Sequence, residues 1–281
     1  MLHAMGLVAA LAVQQTDTTV NVPAGARLAL DNFDGRITIV VWGRNAVRVE
    51  AAHGRGDGIE VEVSGRDVRV RASGRRGPPS DVDFKLSVPA GIDLDLSSKS
   101  GDIEVQGVKG EVNAETVAGA ITVQGGAGNV TLHSVEGDVT LSGARGHIEL
   151  NSVDGAIRVT DASGDLQAET VDGEITLEAI DATSAEANTV DGNILYRGVL
   201  RDNGRYRFSS HDGDVTVSVP VINAAVTVST FSGDFESDFP VTLTGTRNGR
   251  RMSFTLGTGG ARLELESFDG TIHLEKGGTK K

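Results

Sequence analysis

Residues 116–123, 134–141, 152–159 and 170–177 read TVAGAITV, SVEGDVTL, SVDGAIRV and TVDGEITL. Each segment has a small hydroxyl residue, an apolar residue, a third residue that is usually acidic, a glycine, and then alternating apolar positions. A fifth copy, TVDGNILY, ends at Tyr196. Self-similarity at a fixed period is typical of architectures in which one small unit stacks on the next.

Two series of glycines set the period of this repeat, which is about 18 residues. The first series is evenly spaced and comprises Gly101, Gly119, Gly137, Gly155 and Gly173. Gly192, Gly213 and Gly233 continue it at slightly longer and less regular intervals. A second series lies midway, at Gly110, Gly128, Gly146 and Gly164. The unit is therefore a strand, a turn, a second strand and a second turn.

Alternation within each strand assigns the inward positions, because successive side chains of a strand point to opposite sides. Before the glycine the inward columns are Leu94, Val112, Val130, Ile148, Leu166, Ala185; Leu96, Ala114, Leu132, Leu150, Ala168, Ala187; and Ser98, Thr116, Ser134, Ser152, Thr170, Thr189. After the glycine they are Ile103, Ile121, Val139, Ile157, Ile175, Ile194, and Val105, Val123, Leu141, Val159, Leu177, Tyr196. Five columns keep their chemical type over six coils.

These columns predict an all-β fold, a β-solenoid with coils of about 18 residues and two short strands. Each coil buries its apolar edge against its neighbours, which is how solenoids are stabilised. Eight coils marked by Gly101 to Gly233, stacked in sequence order, would stand roughly 34 Å tall at the usual strand spacing. Parallel connections favour a right-handed β-helix.

The two ends of the chain depart from the repeat, as capping units do. We predict an N-terminal β-rich cap over residues 16–80 and the solenoid over residues 81–281, with a short polar tail, GGTKK. Strand-like segments in the N-terminal cap are Arg36–Trp42, Ala46–Ala51, Ile59–Val63 and Val68–Ala72. In the C-terminal coils, Asn203-Gly204 and Asn248-Gly249 are typical of hairpin turns.

The first residues, MLHAMGLVAALAVQQ, form a short apolar run with an A-x-A-like site at Ala10-Leu11-Ala12. This pattern predicts a signal peptide over residues 1–15 and hence an extracytoplasmic protein, whether periplasmic, cell-surface or secreted. A buried first strand or a misassigned start codon are the alternatives. We expect no transmembrane segment, because no apolar stretch is long enough.

Charge and cysteine content exclude several classes of partner and site. The net charge of −13 argues against nucleic acid and against electrostatic docking on anionic lipid. The absence of cysteine excludes a disulfide framework, a zinc–thiolate site, a thiol nucleophile and a lipoprotein anchor. The basic N-terminal cluster of Arg66, Arg69, Arg71, Arg75 and Arg76 is typical of a solvated hairpin and loop, with an anion-binding patch as the alternative.

The ordered set of TVDG-x-I-x-L units, DNFDGRITIVVWG at Asp31–Gly43 and SVPAGIDLDL at Ser87–Leu96 resembles one known group. These are the bacterial DUF4097-type β-strand-repeat proteins, which are described as adhesin-like. The resemblance covers nearly the whole mature chain. It implies a right-handed β-solenoid outside the cytoplasm with no established catalytic activity.

Acidic residues precede most turn glycines, and stacking would bring them close together. Asx-type hydrogen bonds to the turn backbone would explain them locally. Alternatively, a hard cation such as Ca²⁺ could bridge the row. The cation candidates are Asp154, Asp172, Asp191 and Asp212, although the nonapeptide of calcium-binding β-rolls is missing.

Other candidate features favour structural interpretations. The column of serines and threonines that starts at Ser98 and continues through Ser210 and Thr230 is expected to satisfy backbone groups rather than to supply nucleophiles. Threonines on the outer face of the second strand are interrupted by Glu104 and Arg158, which disfavours an ice-binding plane. Arg55-Gly56-Asp57 forms an RGD tripeptide, a weak signal for receptor recognition.

The sequence therefore predicts no catalytic residue and no cofactor, and no enzyme motif is present. The favoured function is an exported, non-catalytic solenoid that binds an envelope, surface or matrix component. The alternative is an envelope-stress or sensing component that binds a peptide or lipid and acts through a partner protein. A polysaccharide-active enzyme is the third hypothesis.

Overall fold

The computed structural model describes residues 14–54, 57–74, 77, 81–241 and 251–277. These residues form strands and turns without a helix, so none of them belongs to a helical membrane span. The strands are β1 (Gln14–Asn21), β2 (Arg27–Asp34), β3 (Ile37–Trp42), β4 (Ala46–His53), β5 (Asp57–Ser64), β6 (Asp67–Gly74), β7 (Asp83–Pro89), β8 (Asp93–Ser100), β9 (Ile103–Val108), β10 (Val112–Ala118), β11 (Ile121–Gly125), β12 (Ala127–Glu136), β13 (Val139–Ser142), β14 (Arg145–Asp154), β15 (Ile157–Thr160), β16 (Ser163–Glu169), β17 (Ile175–Asp191), β18 (Ile194–Gly198), β19 (Arg205–Asp212), β20 (Val215–Val219), β21 (Ala224–Thr230), β22 (Phe235–Ser237), β23 (Arg251–Leu256), β24 (Ala261–Asp269) and β25 (Ile272–Lys276). The prediction of an all-β, solenoid-like fold is confirmed.

The strands form two long sheets with the core between them. Sheet A runs in the spatial order β1-β4-β7-β3-β9-β11-β13-β15-β17-β18-β20-β25-β22. Sheet B runs in the order β5-β6-β2-β8-β10-β12-β14-β16-β17-β19-β24-β21-β23. Strand β17 belongs to both sheets, because its first part lies in sheet A and its second part in sheet B. In the parallel part of the stack, each coil is a strand of sheet B followed by a strand of sheet A.

The register of the central strands agrees with the predicted columns. In sheet B, Val112 lies between Leu94 and Val130. In sheet A, Ile121 lies between Ile103 and Val139. All five predicted columns are buried. Like residues therefore stack on like in a continuous apolar core, and burial on this scale is the main stabilising contribution to the fold.

The expectation that the coils stack in sequence order is wrong at the C-terminal end. Strands β24 and β25 lie between the coil of β19–β20 and the coil of β21–β22. The coil that contains Gly233 is therefore separated from the coil of Gly213 by the coil of Gly270. Eight consecutive coils from Gly101 to Gly233 do not exist, so the height derived from them does not apply.

The N-terminal end shows the same interleaving. Strands β2 and β3 lie between the coil of β6–β7 and the coil of β8–β9. The four predicted strand segments of this region are found as β3, β4, β5 and β6. Antiparallel pairing occurs only toward the ends of the described stack, in β1–β4, β4–β7, β5–β6 and β21–β23. The boundary at residue 80 stays a prediction.

Asn203-Gly204 does not make the predicted hairpin. The strands on either side of it, β18 and β19, lie in different sheets and do not pair with each other. Asn203 does adopt a left-handed conformation, with φ of 63°, because asparagine tolerates this region in many tight turns. Asn248-Gly249 lies outside the described residues, as do residues 1–13 of the predicted signal peptide. Gln14 and Gln15 open β1 and pair with β4.

Candidate functional site

One corner of the solenoid is built from the repeated turn between each strand of sheet B and the next strand of sheet A. Glycine is required there because the turns stack on one another almost without space. Gly137 has φ of 149°, and a Cβ on it would lie 2.2 Å from the carbonyl oxygen of Gly119. Gly155 stacks on Gly137 in the same way, because a Cβ on Gly155 would lie 2.3 Å from the carbonyl oxygen of Gly137. The corner is therefore a tightly packed and regular surface.

A column of buried hydroxyls holds each turn to the previous coil. Ser152 Oγ donates a hydrogen bond to the carbonyl oxygen of Gly137 at 3.1 Å. The same bond recurs at Thr116, Ser134, Thr170, Thr189, Ser210 and Ser267, over 2.8–3.4 Å. These hydroxyls donate to backbone and not to a histidine, so the column plays the structural role predicted for it.

The first hydroxyl of the column is an exception. Ser98 Oγ is buried and has no hydrogen-bond partner among the described residues. The Gly35 carbonyl, which is the equivalent acceptor, instead receives the side-chain amide of Asn32 at 3.1 Å. A buried hydroxyl without a partner destabilises the fold, since it gives up water without compensation.

The predicted cation candidates do form a row at this corner. Strand pairing places Glu136, Asp154, Asp172, Asp191, Asp212 and Asp269 side by side in consecutive coils, and we call these six residues the acidic row. All six are exposed. Neighbours about 4.8 Å apart repel by roughly 1 kcal/mol in water. Among the described residues no group of His, Asp and Glu has the geometry of a metal site.

The predicted Asx-type bond occurs at Asp34, whose Oδ1 accepts the Gly35 N–H at 2.9 Å. None of the four cation candidates makes such a bond within the described part of the chain. In the regular coils of this corner, the carboxylates that bind the backbone of the next coil follow the glycine. Asp138 Oδ1 accepts the N–H of Ala156 in the next coil at 2.9 Å. Asp102 and Asp214 bond in the same way to Ala120 and Thr271.

The pKa of Asp138 reflects this structural role. Burial raises the pKa, but the hydrogen bonds from the Ala156 N–H and the Arg158 guanidinium lower it more, so the net pKa lies below its usual value. The carboxylates after the glycine are therefore part of the framework. Those of the acidic row lie beside the framework with their charge exposed to solvent.

An apolar row runs parallel to the acidic row. The residue two positions before each turn glycine points outward. From Gly119 onward it is apolar in every coil but one, where it is His211, and the apolar set comprises Val117, Val135, Val153, Val171, Val190, Phe268 and Phe231. We call these seven residues the apolar ridge. Six of them are between 43% and 50% exposed, and Val135 is half-buried. Contiguous exposed apolar surface of this kind is typical of interaction sites.

Strand propensity alone does not require valine at these positions. Threonine has a comparable β-propensity, and the chain uses it on the outer face of sheet A at Thr122, Thr140 and Thr176. The sequence pattern was not used to assign a face to the Val of SVDG, so the apolar ridge was not predicted. The same alternation that assigned the hydroxyls inward places this valine outward.

Both ends of this corner carry aromatic rings. At the C-terminal end, Phe268 stacks between His211 and Phe231, with ring centroids 4.6 and 4.5 Å apart. At the N-terminal end, the positions that continue the apolar ridge are occupied by Phe33 and Lys99. The Lys99 ammonium lies 4.7 Å from the Phe33 ring centroid. The neighbouring rings cover the faces of Phe268, so the stack presents mainly ring edges.

The remaining sequence candidates lie elsewhere. Arg66 donates to the Gly25 carbonyl and Arg71 lies 3.4 Å from Asp31, so this part of the arginine cluster is paired locally. Arg75 and Arg76 lie outside the described residues. So do Arg55 and Gly56 of the RGD tripeptide.

Comparison with solved structures gives matches over most of the chain at low identity. A candidate adhesin from Parabacteroides merdae is 9% identical, with a TM-score of 0.46, over 92% of this chain and 95% of the other. A candidate adhesin from Bacteroides fragilis is 12% identical, with a TM-score of 0.42, over 92% and 96%. A candidate lipid-binding protein from Parabacteroides distasonis is 9% identical, with a TM-score of 0.37, over 93% and 97%. At these scores the likeness carries no argument about function.

The comparison with curated proteins gives no match. The sequence profile described as Toastrack DUF4097, in contrast, matches residues 8–198 and 185–275. The two matches together span nearly the whole chain and include both interleaved ends. The chain therefore belongs to the Toastrack DUF4097 family.

Proposed function

We propose that the protein is an exported, non-catalytic β-solenoid whose repetitive corner binds a component of the cell envelope, the cell surface or the surrounding matrix. The observation that carries this proposal is the apolar ridge. Its side chains are exposed in coil after coil although threonine would serve the strands equally well. Membership of the family supports the proposal, because the resemblance implies a solenoid outside the cytoplasm with no established catalytic activity.

We infer right-handed coils of about 18 residues in the central stack, since parallel crossovers are right-handed in nearly all proteins. The pairing of Val112 with Val130, and of Val130 with Ile148, joins positions one repeat apart and supports the coil size. Export, with cleavage near residue 12, is tested by N-terminal sequencing of the protein recovered from the periplasm or medium.

The binding test compares the wild-type protein with a variant in which Val117, Val153, Val171 and Val190 are changed to threonine. Threonine keeps the shape and β-propensity of valine, so the fold is retained. We expect the purified wild-type protein to bind cell-envelope fractions or matrix proteins, and the variant to bind at least tenfold more weakly.

A matched control changes exposed valines elsewhere, Val63→Thr and Val221→Thr, and should bind like the wild type. Undiminished binding by the four-threonine variant would refute the proposal. So would glycan cleavage that is lost when surface carboxylates are mutated, because the protein would then be an enzyme.

A further inference from the structure

We propose that this corner docks a basic amphipathic helix of a partner protein. The apolar stripe of the helix would lie on the apolar ridge, and its Lys or Arg side chains would lie over the acidic row. This inference rests on the proposed function, which makes the corner the contact surface, and it adds the chemical class of the partner.

The two rows form one composite surface. Five of the six residues of the acidic row directly follow a ridge residue in sequence, as in Val153-Asp154 and Val171-Asp172, and Asp212 follows His211. The rows therefore run side by side over consecutive coils. A partner that fits must offer apolar and cationic groups in two parallel lines, which is the arrangement on an amphipathic helix with lysines or arginines flanking its apolar stripe.

The acidic row lacks counterions within the described part of the chain. None of the ion pairs there involves any of its six carboxylates. The same central coils do provide arginines for other carboxylates, as in Arg158–Asp138 and Arg197–Glu178. A basic partner would relieve the repulsion within the row, and this charge complementarity favours it over an acidic or a neutral one.

The chain itself contains an example of the proposed contact. Lys99 occupies the position that continues the apolar ridge toward the N-terminal end, and its ammonium lies over the Phe33 ring. Asp34 follows Phe33 in sequence. A long basic side chain therefore packs on an apolar group of this row, next to a carboxylate. At the opposite end, Phe268 and Phe231 present apolar surface beside Asp269, where a side chain of the partner could lie similarly.

The spacing of the rows favours a helix over an extended segment. Coils repeat at about 4.7–4.9 Å, the pitch of an α-helix is about 5.4 Å, and alternate residues of a strand are about 6.4–6.8 Å apart. A helix can therefore keep one side chain near each coil over several coils. A strand loses this match after about two.

The probe is a 14-residue peptide of leucine and lysine with its leucines at helical spacing. Three comparison peptides separate the contributions: one with the same composition but strict alternation, one with serine for leucine, and one with glutamate for lysine. Binding to the full chain is measured by fluorescence anisotropy. We expect the helical Leu/Lys peptide to bind at least tenfold more tightly than any of the other three.

Two variants test where the peptide binds. Val153→Thr/Val171→Thr reduces the ridge, and Asp154→Asn/Asp172→Asn removes two charges of the acidic row. Each should weaken binding at least fivefold. The charge-matched control Glu111→Gln/Asp161→Asn alters exposed carboxylates at the opposite corner and should leave binding unchanged.

The inference is overturned if the helical Leu/Lys peptide does not bind, if the alternating, serine or glutamate peptide binds as tightly, or if the control variant loses as much affinity as the others. Any of these results together with ridge-dependent binding to envelope or matrix material refutes the partner class and leaves the proposed function standing. If the envelope or matrix binding is also independent of the ridge, both proposals fail.

Discussion

At the scale of single residues, each turn of the corner is held by one buried hydroxyl. Ser152 donates to the carbonyl of Gly137 in the previous coil, and this bond repeats in six further coils. The glycine supplies the conformation, and the hydroxyl fixes the spacing of one turn on the next. Ser98 has the same position but no acceptor, so the two serines form a natural pair for comparison.

Ser152→Ala should lower the free energy of unfolding by about 1 kcal/mol, because the bond is lost and the Gly137 carbonyl is left without this donor. Ser98→Ala should be neutral or slightly stabilising, because it removes an unsatisfied buried hydroxyl. Urea unfolding of the two variants measures the difference. Equal destabilisation by both substitutions would show that the hydrogen bond contributes nothing.

At the scale of elements, the connection between β18 and β19 replaces the short turn of the regular coils. It is held by Tyr206, whose hydroxyl donates to the Ala182 carbonyl at 2.7 Å and accepts the Arg201 N–H at 2.8 Å. The Arg201 guanidinium also forms a two-pronged ion pair with Asp181. This pair links the connection to the coil before it.

The hydrogen bond from Arg201 holds the pKa of Asp181 below its ordinary value of 3.8. Because the folded-state pKa is lowered, the contribution of the pair to stability is fully present above the unfolded-state pKa. It is lost as the pH falls through the folded-state pKa. Arg201→Gln should therefore raise the pKa of Asp181 toward 3.8, as followed by NMR titration of its carboxyl carbon.

The comparison variant is Arg207→Gln, which alters an exposed arginine in β19 and should leave the pKa of Asp181 unchanged. In thermal unfolding, the difference between wild type and Arg201→Gln should be present at pH 7 and should shrink as the pH falls below 3.8. A difference that is constant with pH would show that the ion pair is not its source.

The elements and their inward faces could be predicted because the repeat presents the same pattern many times. Ile157 and Val159 are inward in one coil for the same reason as Ile175 and Leu177 in the next. The apolar ridge was also encoded in this alternation. It was missed because a valine next to Asp-Gly is typical of a strand end. Only the exposure of these valines in the structure distinguishes a contact surface from an ordinary strand end.

At the scale of the whole molecule, both ends of the stack are interleaved. Strands β24 and β25, which come last in the chain, lie between two coils that were made earlier. Sequence could not predict this order, because the three strands concerned lead into similar turns: Ser210-His211-Asp212 in β19, Ser267-Phe268-Asp269 in β24 and Thr230-Phe231-Ser232 after β21. Ser267 can thus bond to Gly213 as Ser210 bonds to Gly192.

Removal of residues 261–281 tests the interleaving. In a serial stack this truncation would remove only the last coil and leave the others intact. Here it takes away the partner of both β19–β20 and β21–β22. We therefore expect backbone amides of residues 224–241 and 251–256 to lose protection from hydrogen exchange, along with the exposed edge at 205–219, while residues 112–177 keep theirs. Full protection of 224–230 in the truncated protein would contradict the observed strand order.

The interleaved ends also bear on how such a protein can change in length. Between β8 and β18 the order along the chain and the order in space agree, so a duplication of one repeat unit there inserts one coil and disturbs nothing else. At either end, duplication of a repeat unit would separate strands that pair with each other, such as β19 with β24. The terminal regions therefore constrain the length of the chain, whereas the central coils can be gained or lost one at a time. The number of contact positions on the corner can change in evolution through the central coils alone.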